Sequence, residues 1–275
     1  MLERDSASRA VPSTSAPGVS FRFPRRRLDV LLSLTEADLR ARYGRGGGRF
    51  AKWLLDPFAL AGVYLLLVTF VLNRGGPAPG LSLACAIVPF QLVMSTVTNS
   101  MIAITTRRSI VLNMSFQRSL IPVATTFTET VAFIAGLSLP AMMMIIYGVS
   151  PTWAMLMLPL VILVTVFFAV AVAYPASIFG LWFRDLRQFA ISFVRTLFFL
   201  APGLIALNQV GGTAARLLRL NPFTGLFEAY RDVILYGRVP AAWELLYPAG
   251  IAVVLLAVFL PIYRTEQRQF AKVVE

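Results

Sequence analysis

The stretch that decides the fold runs from Trp153 to Phe179 and reads WAMLMLPLVILVTVFFAVAVAYPASIF. Its 27 residues include no charged side chain. An α-helix needs about 20 consecutive apolar residues to cross the hydrocarbon core of a bilayer. This stretch therefore predicts a membrane-spanning helix.

The composition of the whole chain agrees with this prediction. Of the 275 residues, 57% are apolar and 14% are charged, whereas soluble domains carry about 45–50% and roughly 25%. The chain has no histidine, which removes the commonest general acid or base and the commonest metal ligand. Its single cysteine, Cys85, forms no disulfide within the chain. These features exclude soluble enzymes and predict an integral membrane protein.

The predicted fold class is all-α with six transmembrane helices in a domain from 53 to 263. Six segments are long and apolar enough to cross: 53–72, 81–105, 122–147, 153–179, 188–207 and 245–263. With the N-terminus in the cytoplasm, 19 basic residues lie inside and 5 outside, and Arg195 lies within the fifth span. Cytoplasmic loops carry such an excess of Lys and Arg. Both termini, including the tail 264–275, are therefore predicted to be cytoplasmic.

The N-terminal region is predicted to stay outside the hydrocarbon. Residues 1–24 are rich in Ser, Ala and Pro, which predicts a disordered tail. Within 25–52, a stripe of leucines from Leu28 to Leu39 faces away from acidic and polar residues, and arginines flank it. This pattern predicts an amphipathic helix on an anionic membrane surface. A helix packed on a soluble partner is the alternative.

The connection 208–244 is long and faces outward in this topology. Asn221 suits an N-cap, Pro222 the first helical turn and Gly237 the end, so a helix is predicted over 222–236. At ~1.5 Å per residue it is ~22 Å long, too short to span, which predicts a segment that enters and returns. Glu228 and Asp232 share one face of it, with Arg231 between, and are predicted to form a solvated outer rim.

Two ionisable residues fall inside predicted spans, where such groups face a bundle interior or an aqueous cavity. Glu129 is predicted to pair with an arginine of a neighbouring span. Arg195 either extends to the cytoplasmic interface or offers a cation inside a conduit for a phosphate-bearing substrate. The chain lacks the Gly-x-x-x-x-Gly-Lys-Ser/Thr sequence that binds nucleotide phosphates, so it is predicted not to hydrolyse ATP alone.

Four landmarks carry a resemblance to a known family. They are Arg40 to Gly44 leading through Trp53 to Pro57, Phe116 to Pro122, Phe183 to Arg187, and Leu220 to Arg231. In this order and at these places relative to six spans, they resemble the permeases of ABC-2 type exporters, in the branch that exports lipid-linked glycans such as O-antigen and teichoic acid. Two departures are Gly46 to Phe50, where the family has Ser-x-Leu-Gly, and Gln117, where it has Pro.

The resemblance implies a homodimer in a bacterial cytoplasmic membrane, working with a separate ATPase subunit that holds ATP and Mg²⁺, while this chain holds no cofactor and no metal. The cargo is then a lipid-linked polysaccharide, and the arginine-rich usage suggests a high-GC Gram-positive glycan such as a galactan. The alternatives are a multidrug or small-lipid exporter of the same fold and a membrane glycosyltransferase.

Three groups of residues are predicted to carry this function. A cytoplasmic surface coupled to the ATPase consists of Arg107, Arg108, Phe116, Arg118, Arg184, Asp185 and Arg187. The resemblance implies that spans one and five line the conduit, which assigns Tyr64, Phe70, Phe193, Arg195 and Phe199 to it. An outer gate consists of Pro222, Phe223, Phe227, Glu228, Tyr230 and Arg231.

Overall fold

The computed structural model describes residues 27–43, 59, 62–63, 78–108, 117–203, 207 and 212–267. Every regular element in these ranges is helical, which confirms the predicted all-α class for this part of the chain. The first predicted span, 53–72, lies outside the described residues apart from three positions.

The helices are numbered in chain order. They are α1 (Arg27–Tyr43), α2 (Pro79–Thr106), α3 (Leu120–Gly136), α4 (Ser138–Tyr147), α5 (Leu158–Trp182), α6 (Arg187–Leu200), α7 (Gly212–Leu218), α8 (Pro222–Ile234) and α9 (Ala242–Glu266). One-turn 3₁₀ helices at Trp153–Met157 and Arg184–Leu186 precede α5 and α6.

Four helical segments among the described residues are long and apolar enough to cross a membrane. They are Pro79–Thr106, Leu120–Tyr147, Trp153–Trp182 and Ala242–Glu266. They coincide with predicted spans two, three, four and six. Span three consists of α3 and α4, which meet at Leu137. The count of six spans stays a prediction.

The fifth predicted span differs from the helix that is present. The span was predicted over 188–207, but α6 ends at Leu200 after 14 residues. Pro202 and Gly203 follow, and neither residue favours continuation of a helix. At ~1.5 Å per residue α6 is ~21 Å long, which is less than the ~30 Å of a hydrocarbon core.

The bundle is organised around α2, whose side chains are buried along most of its length. It packs against α3, α5, α6 and α8, and α5 in turn packs against α9. At the end that the predicted topology places in the cytoplasm, the rings of Tyr174 and Tyr263 meet edge to face at 5.4 Å. The Tyr174 hydroxyl donates to the Ser119 carbonyl at 3.0 Å. At the opposite end, α8 packs between α2 and α9.

A close contact between α2 and α5 requires a glycine. An ideal Cβ on Gly180 would lie 2.3 Å from the Cα of Met101. We expect Gly180→Ala to lower the melting temperature of the purified protein, because overpacking costs about 1–3 kcal/mol and the gain in helix propensity is at most about 1 kcal/mol.

The matched control is Gly250→Ala on α9, where an added Cβ meets no atom within 4 Å. Size-exclusion chromatography after heating, followed by protein fluorescence, compares both variants with the wild type. Equal melting temperatures for the two variants would show that the helices do not meet at Gly180.

Candidate functional site

A polar stripe runs along the middle of α2. Between residues 83 and 100 every side chain is buried except five that are half-exposed: Gln91, Met94, Ser95, Thr98 and Asn99. Their spacing places them on one face of the helix. Four of the five are polar, and polar side chains in a membrane-spanning helix face protein or a water-filled cavity rather than lipid.

This stripe lines an open groove of about 480 Å³, to which α6 contributes Arg195. Ile87 and Phe90 complete the described lining. The rings of Phe90 and Phe198 are 4.5 Å apart and join α2 to α6. Arg195 lies one turn before Phe198, so its depth corresponds to the middle of α2 rather than to either end. Arg195 is exposed in this chain and lines the groove. Its role in a conduit stays a prediction.

The side chain of Asn99 forms a hydrogen bond with Glu129 of α3, on the side away from the groove. The Asn99 amide nitrogen donates to Glu129 Oε1 at 2.9 Å, and Glu129 is buried. In this contact the amide nitrogen of Asn99 faces Glu129. The arginine partner predicted for Glu129 stays a prediction.

A second polar cluster surrounds Arg231 of α8, whose side chain is 0% exposed. Its guanidinium donates to Glu228 Oε1 at 2.7 Å, the Pro202 carbonyl at 2.7 Å and the Gly203 carbonyl at 3.1 Å. It also donates to Ser82 Oγ at 3.0 Å. Glu228 Oε1 accepts the backbone N–H of Leu207 at 2.9 Å. The ion pair thus satisfies backbone groups of Pro202, Gly203 and Leu207, which follow α6 in the chain.

The predicted solvated rim on α8 is wrong. Glu228 and Asp232 are only 5% and 3% exposed. Burial is possible because each carboxylate has a cationic partner: Arg231 for Glu228, and Arg238, which donates to Asp232 at 2.7 Å. Burial raises the pKa of the Asp232 carboxyl, and the hydrogen bond and charge of Arg238 oppose this shift only in part.

The rest of α8 is an aromatic core element. Its N-cap is confirmed, since the Asn221 side chain accepts the N–H of Phe223 at 3.0 Å, and the helix ends at Ile234, two residues earlier than predicted. Phe223 packs against Phe90 and Phe168, Phe227 against Phe198, and Tyr230 against Phe133. Apart from the half-buried Pro222, every residue predicted for the outer gate is buried.

Comparison with known proteins identifies relatives of this helical bundle. No protein-family model matches the chain. It is 28% identical over 245 residues to the O-antigen export system permease protein RfbA of Myxococcus xanthus, covering 88% of this chain and 94% of that protein. Two proteins of the same name from Klebsiella pneumoniae are 25% and 24% identical over 247 residues, covering 89% of this chain and 95% of each. The resemblance to an ABC-2 polysaccharide-export permease is confirmed.

The similarity to export permeases extends through both polar clusters, since it covers most of each chain. Of the residues predicted for the permease conduit, Arg195 lines the groove. Phe193 and Phe199 are exposed on α6, while Tyr64 and Phe70 lie outside the described residues. The sequence prediction missed the stripe on α2, although the spacing of Gln91, Ser95, Thr98 and Asn99 is visible in the sequence.

The described residues among those predicted to couple the permease to an ATPase lie at the cytoplasmic end of the predicted topology. Arg184 and Asp185 are exposed in the turn before α6, and Arg108 is exposed after α2. Arg118 donates to the Gln267 carbonyl, and Arg187 Nε donates to the Gly180 carbonyl at 2.8 Å. Phe116 lies outside the described residues.

Arg107 does not fit an exposed coupling surface. Its side chain is buried, forms an ion pair with Asp38 of α1 and donates to Thr125 Oγ1 at 3.2 Å. A buried guanidinium held by three helices offers no surface to a partner protein. The contacts show instead that Arg107 attaches α1 to α2 and α3.

In the part of the chain that the structure describes, no three His, Cys, Asp or Glu side chains are grouped to hold a metal ion.

Proposed function

We propose that this chain is the transmembrane permease subunit of an ABC exporter that moves a lipid-linked polysaccharide across the cytoplasmic membrane, powered by a separate ATPase. The observation that carries the proposal is the polar groove beside α2 at mid-depth of an otherwise apolar bundle. A sugar chain cannot cross hydrocarbon without such a path, because unpaired polar groups are costly there. The three relatives named O-antigen export permeases support the same cargo class.

The proposed topology has six crossings and both termini in the cytoplasm. The distribution of basic residues and the four long apolar helices support it. In this topology, α6 and the backbone up to Leu207 form the fifth crossing. Backbone groups at membrane depth are tolerated where protein satisfies them, and the pair Arg231 and Glu228 binds backbone groups of Pro202, Gly203 and Leu207.

We propose that α8 enters from the outer side, turns back and closes the conduit between transport cycles. Its 13 residues are ~20 Å long, which is too short to cross. Its burial against α2, α5 and α9 supports a position inside the bundle.

The working unit in this proposal is a homodimer of the permease with its ATPase subunits, which carry ATP and Mg²⁺. The exposed apolar face of α6, with Phe189 and Phe193, offers a surface for a second copy. The exposed turn at Arg184 and Asp185 faces the side from which a soluble motor docks.

The test of this proposal is copurification of the tagged permease with its ATPase, followed by measurement of ATP hydrolysis. We expect Arg184→Ala to lower permease-stimulated hydrolysis about fivefold, which corresponds to about 1 kcal/mol, while the protein still inserts into the membrane. Arg216→Ala is the matched control, since Arg216 is exposed on α7 at the opposite end. A wild-type chain that binds no ATPase, or wild-type hydrolysis with Arg184→Ala, would contradict the proposed coupling.

A further inference from the structure

We infer that the groove between α2 and α6 binds a phosphoryl group, with Arg195 supplying the charge and the polar stripe of α2 the hydrogen bonds. This inference deepens the proposed function and rests on it for its biological meaning. It names the part of a polar substrate that this membrane-embedded site recognises.

The charge of the groove favours an anion. Arg195 lies at the depth of the middle of α2, where an ionised side chain is costly unless it faces water or a partner of opposite charge. Among the described residues that line the groove, none carries a carboxylate. The nearby carboxylate of Glu129 is buried behind the Asn99 amide. A guanidinium binds phosphate through two parallel hydrogen bonds, so a phosphoryl group suits it in shape as well as in charge.

The stripe offers hydrogen-bond donors to an anion beside the charge of Arg195. Gln91 Nε2 lies 3.5 Å from Ser95 Oγ, an arrangement in which the hydroxyl oxygen accepts and its proton stays available. Gln91 and Asn99 each keep a further amide N–H beyond the contacts described. Thr98 differs, since its hydroxyl donates to the Met94 carbonyl at 2.9 Å.

The charge of Arg195 separates a phosphoryl group from a neutral sugar. A phosphoryl group carries the negative charge that a guanidinium pairs with, whereas a neutral sugar does not. Donors on α2 and the fork of Arg195 on α6 approach from two helices, which suits tetrahedral oxygens. The groove volume of about 480 Å³ lies within the roughly 300–1,000 Å³ typical of ligand sites, so groups attached to the phosphoryl also fit.

The experiment uses the purified full-length chain in dodecyl maltoside micelles, which present neutral sugar in large excess. Dodecyl phosphate and inorganic phosphate are titrated separately, and binding is measured by calorimetry. We expect saturable binding of dodecyl phosphate that Arg195→Gln weakens about tenfold or more. Arg195→Lys should weaken binding of dodecyl phosphate about threefold, because lysine keeps the charge but cannot form the two parallel hydrogen bonds of a guanidinium. Arg216→Gln, which removes an exposed charge on α7, should bind like the wild type.

The two probes distinguish the sources of the phosphoryl group. Binding of dodecyl phosphate alone assigns the site to a lipid-borne phosphate, and equal binding of inorganic phosphate assigns it to a free one; both support phosphoryl recognition. Equal affinity of wild type and Arg195→Gln, or no saturable binding, overturns the inference.

Failure of this inference and failure of the proposed function give different results. The proposed function is tested by measuring lipid-linked glycan in cells depleted of this chain, and that measurement does not depend on phosphate binding in micelles. If the protein binds no phosphate but export depends on the protein, the proposed phosphoryl site is rejected and the proposed permease function stands.

Discussion

Substitution of Arg231 by methionine is expected to destabilise the permease by about 3–5 kcal/mol, because it leaves the carboxylate of Glu228 buried and unpaired. Arg231 has no exposed surface and also holds the carbonyls of Pro202 and Gly203. Folded proteins are stable by only about 5–15 kcal/mol. We therefore expect little folded Arg231→Met protein at growth temperature, measured by fluorescence-detected size exclusion of a tagged chain.

A double variant separates the lost charge pair from a general packing defect. Glu228→Gln combined with Arg231→Met removes the orphan charge and keeps an acceptor for the Leu207 N–H, so it should recover part of the folded protein. Arg216→Met, at an exposed site, should behave like the wild type. A single variant that melts at the wild-type temperature would show that the pair is not buried.

A bulky side chain in the groove is expected to block export. Ser95→Trp places an indole within the polar stripe, and we expect export of the glycan to fall more than about tenfold, equivalent to about 1.4 kcal/mol or more. Assembly with the ATPase should persist, because Ser95 is far from the cytoplasmic end of α2.

The matched control is Val254→Trp on α9, where the valine is 61% exposed on the outside of the bundle. Surface glycan is quantified in cells that carry each variant at equal membrane levels. Normal export by Ser95→Trp would show that the cargo does not pass along α2.

The long helices were predictable because apolar length alone decides them. The segment predicted over 81–105 is the helix Pro79–Thr106, and the one predicted over 153–179 lies within Trp153–Trp182. The end of α6 could not be predicted from hydropathy. The apolar run continues past Pro202 to Leu207, so backbone chemistry, and not the hydropathy, ends the helix at Leu200.

The burial of the α8 charges could not be predicted from local spacing. The i and i+4 spacing of Glu228 and Asp232 is common on the exposed face of a helix, so the spacing alone predicts that both carboxylates are solvated. The partners that complete the site are distant in the chain: Ser82 is 149 residues from Arg231 and Gly203 is 28 residues away. Only the fold brings them together.

The groove could be predicted from the sequence only in part. The stripe from Gln91 to Asn99 has a helical spacing that the sequence shows, but its partner helix does not follow from that spacing. The resemblance directed the prediction to spans one and five, and of the predicted residues in span five, Arg195 lines the groove with α2. Roles for Tyr64, Phe70, Phe193 and Phe199 in the conduit stay predictions.

The most direct test of the proposed function is the amount and position of lipid-linked glycan in cells depleted of this chain. Glycolipids are extracted and quantified, and surface labelling reports the fraction that has crossed. We predict that lipid-linked glycan accumulates on the cytoplasmic side and that surface glycan falls, with both restored by the wild-type chain. An unchanged lipid-linked pool with normal surface glycan would contradict the account.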